Sequence, residues 1–75
     1  MKLSELKIKE RAEIINIDCD KILKSRLHSF GIMKGAIITI EQLTLTKSTI
    51  EIKINHSKIA LRLNEAEKIE VNYAE

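Results

Sequence analysis

The stretch "IEIKI" (50–54) alternates without a break, with Ile50, Ile52 and Ile54 on one side and Glu51 and Lys53 on the other. A two-residue period sends successive side chains to opposite faces of a pleated strand. Four more stretches carry strand patterns. "RAEIINI" (11–17) ends with Ile15 and Ile17 alternating with Asn16, and "AIITIEQL" (36–43) is mostly apolar and β-branched. "IALRL" (59–63) directs Ile59, Leu61 and Leu63 inward, and "IEVNY" (69–73) does so with Ile69, Val71 and Tyr73. "NHSK" (55–58) has the composition of a hairpin turn. Five short strands at this spacing close most economically into a small barrel, because closure removes exposed edges. The predicted core is Ile50, Ile52, Ile54, Leu61 and Val71, packed with Leu23 and Leu27.

The period changes after strand 1. From Asp20 to Phe30, Leu23, Leu27 and Phe30 recur at i, i+4 and i+7, and Ile22 widens the stripe. Lys21, Lys24, Ser25 and Arg26 take the polar side, which predicts an amphipathic helix of about three turns. Asp18 or Asp20 can cap it, because a carboxylate accepts from the free N–H groups of a first turn. "LSEL" (3–6) predicts one helical turn, and "NEAE" (64–67) another, with Asn64 as its cap. The expected fold is therefore mainly β with a short helix: a small five-stranded β-barrel with one amphipathic helix after strand 1.

Both glycines of the chain fall in "RLHSFGIMKG" (26–35), and there is no proline. Gly31 follows the last apolar position of the helix, where a residue of positive φ closes it without a Cβ clash. Gly35 precedes a strand and fits a tight turn. A phosphate-cradling loop needs its glycines before a helix N-terminus, where free N–H groups meet the anion. Here they follow a helix, which argues against nucleotide binding.

Seventy-five residues predict one domain over 1–75 with a thin core. The 44% apolar and 32% charged composition suits a globular domain, and a net charge of +2 is no nucleic-acid signature by itself. Cys19 is the single cysteine, so an internal disulfide is ruled out and a reducing compartment is expected. "MKLSELKIKER" is too charged for a signal peptide, and the apolar runs are too short to span a membrane. A cytoplasmic protein without direct membrane insertion is the expectation.

Candidate chemistry is sparse. His28, His56, Cys19, Asp18 and Asp20 show no metal-ligand spacing such as H-x₃-H or C-x₂-C. No metal or cofactor is expected, and Cys19 reads as a partly buried loop residue. The acids of "EAE" (65–67) belong in a capped first turn, and no Ser–His–Asp or paired-carboxylate arrangement appears, so no catalytic residue is assigned. Lys24, His28, Met33 and Lys34, on the helix and the glycine turn, form a candidate docking surface. Met33 between the glycines would be an exposed flexible apolar residue, useful at an adaptable interface. Leu45, in the loop 43–49, is a second candidate.

The order of "LSEL", Glu10, the "RL" and "FG" of 26–31, Gly35, "IEI" (50–52) and "IALRLNEAEKIEV" (59–71) resembles the FeoA family of small ferrous iron transport proteins, nearly end to end. The resemblance implies an SH3-like barrel with an added helix. It also implies an accessory, non-enzymatic role, in which the chain binds and modulates the membrane ferrous iron transporter FeoB through that protein's cytosolic GTP-binding domain. The chain departs from the family's usual pattern where Lys34 replaces a proline before the second glycine. It departs again where Ile8, Lys9 and Glu10 replace Pro-Gly-Glu, and at 45–49, where a Pro-Leu-Gly-Asp-Pro-like loop is usual. Two other classes fit a small barrel: a nucleic-acid-binding protein, and an SH3-like regulatory domain like that of metal-dependent repressors. The first needs bases stacked on aromatics in a basic groove, and both aromatics here, Phe30 and Tyr73, are expected inward. The second carries a helix-turn-helix ahead of the barrel.

Overall fold

The computed structural model describes residues 1–44 and 48–74. Five strands form one antiparallel sheet: β1 (Arg11–Ile17), β2 (Ile37–Thr44), β3 (Thr49–Ile54), β4 (Ser57–Arg62) and β5 (Ile69–Tyr73), in the order β4-β3-β2-β1-β5. A helix, α1 (Lys21–Ser29), follows β1, and a short helix, α2 (Leu63–Ala66), precedes β5. A 3₁₀ turn, Leu3–Glu5, opens the chain.

The strand that alternates most cleanly fixes the register of its neighbours. Ile50, Ile52 and Ile54 of β3 are all buried and stand opposite Leu43, Ile40 and Ile38 of β2 and Leu61, Ile59 and Ser57 of β4. A one-residue slip would turn all three isoleucines to water. Register shifts between Ile40 and Gln42 and between Ile14 and Asn16 add bulges, which bend and twist the strands. Twist and bulges curl the sheet around a single apolar cluster that also takes in Leu3, Leu6, Leu27, Ile32, Ala66, Ile69 and Val71.

Several expectations change. The β1 bulge puts Ile14 rather than Ile15 in the core, with Ile17 still inward across the extra residue. Tyr73, the last residue of edge strand β5, is 59% exposed although it stands opposite the fully buried Ala12. Along α1 only Leu27 is buried; Leu23 packs at the core's margin, Phe30 is 43% exposed and Ile22 85% exposed. A nine-residue helix lying on the barrel touches it through one turn, so the apolar stripe is wider than the contact. Asn64 is not a cap. Arg62 holds the N-cap position of α2, and Glu65 reaches back to accept from the Arg62 N–H at 3.0 Å. Leu63 accordingly starts the helix instead of ending β4.

Among the described residues no helix is long and apolar enough to cross a membrane.

Candidate functional site

The site begins with the two ends of α1. Asp20 caps its start, its Oδ1 accepting from the Leu23 N–H at 2.8 Å. At the other end the Gly31 N–H donates to the His28 carbonyl at 2.9 Å and the Ile32 N–H to the Leu27 carbonyl at 3.0 Å. That pair of bonds, with Gly31 at φ +87°, is a Schellman closure, sealed by the apolar contact of buried Leu27 and Ile32. A Cβ at Gly31 would meet only Asn55 Nδ2 at 3.6 Å and Ile54 Cδ1 at 3.9 Å, ordinary contacts. Glycine is therefore required by backbone conformation and not by crowding.

Next comes a four-residue turn. The Ala36 N–H donates to the Met33 carbonyl at 3.0 Å, and Gly35, third in the turn, has φ +92°. This is the pattern of a type II turn, which favours proline second and glycine third. Lys34 holds the second place. The turn is anchored to β1 through the Gly35 N–H to the Ile14 carbonyl at 2.7 Å and the Ile14 N–H to the Ala36 carbonyl at 2.9 Å. The same design recurs before β1. The Glu10 N–H donates to the Lys7 carbonyl at 3.1 Å, Glu10 Oε1 accepts from the Lys7 N–H at 2.6 Å, and Lys9 sits third with φ +72°.

The two glycine turns bring the chain back beside its own helix. Lys24 and His28 of α1, Met33 and Lys34 of the turn, and Asn16 and Ile17 of β1 together line a cleft of about 240 Å³. Four of the five docking candidates therefore share one site, while Leu45 lies outside the described residues. Met33 is 44% exposed at its rim. An unbranched thioether flanked by cations suits an acidic surface with an apolar pocket. Asn16 and Ile17 were not foreseen in this site; only the return of the 31–35 segment against β1 places them there.

The other candidates stay apart. Cys19 is half-buried against the core, and His28 and His56 are exposed on different elements. Among the described residues no group of three His, Cys, Asp or Glu side chains gathers in metal-binding geometry. Glu65 is buried and does structural work: beyond capping α2, it accepts from the Arg26 guanidinium, tying α2 to α1. The exposed aromatics do not form one stacking surface. Phe30 lies beside β4, whereas Tyr73 lies by the acids of the chain's start. Local desolvation, then the Glu10 and Glu5 carboxylates, push the Tyr73 hydroxyl above its ordinary value.

Fold and cleft together define a small SH3-like barrel with a surface site between its helix and first strand. The FeoA domain model matches residues 1–73. A protein of Campylobacter jejuni named as an Fe(2+) transport protein A is 40% identical over 72 residues, 96% of this chain and 97% of that one. The solution structure of the FeoA protein from Chlorobium tepidum superposes with a TM-score of 0.91 at 34% identity, over 97% of this chain and 70% of that one. This chain belongs to the FeoA family of ferrous iron transport proteins. A manganese-dependent transcriptional repressor superposes with a TM-score of 0.92 at 16% identity, over 99% of this chain and 36% of that one, a likeness of fold alone.

Proposed function

We propose that this chain is a cytoplasmic accessory protein of ferrous iron uptake that docks on the cytosolic GTP-binding domain of a FeoB-like membrane transporter. It acts by binding and not by chemistry. The observation that carries this reading is the cleft at the end of α1. Two positive-φ glycines hold a half-exposed methionine among Lys24, His28 and Lys34, a composition that fits a protein surface better than a small molecule. Membership of an iron transport family supplies the process.

A nucleic-acid role has less support. Phe30 and Tyr73 are exposed, but Tyr73 stands among carboxylates that repel phosphate, and stacking sites need aromatics within a basic groove. The regulatory-domain alternative rests on shared fold only.

A docking module shifts its partner's equilibrium only by binding the partner's states unequally. The test is to titrate the full chain into the transporter's isolated cytosolic domain, with GDP and with a GTP analogue. Saturable binding whose affinity differs between the two nucleotides is expected. No binding in either state would overturn the reading.

A further inference from the structure

One edge of the sheet is covered and the other is open. On β5, the Met1 amine donates to the Val71 carbonyl at 3.2 Å, the Val71 N–H donates to the Met1 carbonyl at 2.8 Å, and Lys2 bridges Glu70. On the far side, among the described residues, β4 pairs with β3 alone.

The phase of the β3–β4 ladder identifies the free groups. Ile54 and Ser57 flank the two-residue turn Asn55–His56, so they exchange hydrogen bonds, and in alternation so do Ile52 with Ile59 and Ile50 with Leu61. The N–H and C=O of Lys58 and Ala60 therefore point away from the sheet. Neither makes a backbone bond outside the ladder among the described residues. Arg62 is next in this phase, and its N–H is taken by Glu65 Oε1. The open edge thus has a defined end. A groove of about 590 Å³ runs along it, with Lys58, Ile59 and Ala60 on one side and Arg26 and Phe30 from the end of α1 on the other.

We propose that this groove takes an extended acidic segment of a partner protein as an added strand on β4. Main-chain bonds would form at Lys58 and Ala60, acidic side chains would meet Lys58 and the exposed part of the Arg26 guanidinium that Glu65 does not engage, and an apolar side chain would pack on Phe30. Added-strand recognition takes its affinity from such main-chain bonds and its specificity from the flanking side chains. Charge selects the occupant. Lys58 already stands directly opposite Lys53 across the β3–β4 ladder, and like charges so placed destabilise a strand pair, so an acidic strand on the open side of Lys58 relieves a repulsion that a basic one would increase. The groove shares no lining residue with the Met33 cleft, and the inference stands independently of the docking reading given above.

The test uses the full chain, ¹⁵N-labelled, and a short acetylated peptide alternating glutamate and valine. Titration into the millimolar range should shift the Lys58 and Ala60 amide resonances and slow their hydrogen exchange. A peptide with lysine in place of glutamate should bind at least about ten-fold more weakly, as should one N-methylated at alternate residues. Ala60→Pro removes an outward N–H that no ladder bond uses, a position where an edge strand tolerates proline. It should abolish binding with the melting temperature little changed. Should Ala60→Pro unfold the chain, Lys58→Glu decides instead, by reversing the preference toward the lysine peptide. Absence of any effect at the Lys58 and Ala60 amides would overturn the proposal and leave Lys58 as a charge that only guards the edge. Equal binding of the acidic and basic peptides, or self-association of the chain through this edge, would overturn it too.

Discussion

Lys9 holds a backbone conformation that its side chain disfavours, and replacing it with glycine should stabilise the protein. Its φ of +72° lies in the left-handed region, where a Cβ crowds the following carbonyl oxygen. That crowding costs an L-residue roughly 1–2 kcal/mol. Glycine escapes it but gains freedom in the unfolded chain, which returns about 0.5–1 kcal/mol. The midpoints of the two ranges differ by about 0.75 kcal/mol in favour of Lys9→Gly. At this chain length 1 kcal/mol moves the melting temperature by about 4–8 °C, so a rise of about 3–6 °C is expected. Nothing else should be lost, since Lys9 is exposed and its backbone bond, N–H to the Ile40 carbonyl at 2.7 Å, needs no side chain. Thermal and urea unfolding followed by circular dichroism measure the effect. Lys53→Gly, an exposed site within β3, serves as the control and should lose about 0.5–1 kcal/mol. If Lys9→Gly falls in stability as Lys53→Gly does, the strain assigned to this turn is absent.

Gly31→Ala should cost about 1 kcal/mol or more in urea unfolding, through conformation and not a clash, since the added Cβ finds only ordinary contacts. An unaltered midpoint would remove Gly31 from the Schellman closure. Ile52→Ala, at the fully buried centre of β3, should cost about 2–4 kcal/mol, and an unchanged melting temperature would contradict its place in the core. Glu65→Ala leaves the Arg62 N–H and Arg26 without their partner and should cost about 1–3 kcal/mol. A double-mutant cycle with Arg26→Ala should show coupling between the two, and strict additivity would sink the α1–α2 tie.

How far the chain could be read depends on whether a feature is local. The two-residue period of β3 is local, and so is the demand for positive φ at Gly31 and Gly35; each is visible in a few residues. The bulge at Ile15 is not, because the extra residue is defined only by the β5 partner it fails to face. Tyr73 continues the inward phase of Ile69 and Val71, yet at the end of β5 it is mostly exposed, and no pattern within β5 marks that change. Capping of α2 was misassigned to Asn64 because the residue that satisfies the helix start, Glu65, lies inside the helix and reaches back to Arg62. The Met33 cleft was partly legible, since its residues crowd into positions 24–34. The β4 groove was not: it exists because β4 ends the sheet and α1 lies alongside, a matter of topology. The departures at Ile8, Lys9 and Lys34 also gain sense only from the fold. Each occupies the second or third place of a turn whose pattern suits proline and glycine there.

The most direct test of the docking account is the affinity of the full chain for the transporter's cytosolic GTP-binding domain when Met33 is replaced by aspartate, with unfolding measured alongside. A truncated apolar anchor typically costs about 1–2 kcal/mol or more, and an exposed lysine less. Met33→Asp should therefore weaken binding by about five-fold to thirty-fold at an unchanged melting temperature. Lys24→Glu should weaken it less, by an amount that shrinks as salt is added. Wild-type affinity in a folded Met33→Asp variant would contradict the account, because the cleft at the end of α1 would then not be the surface that meets the transporter.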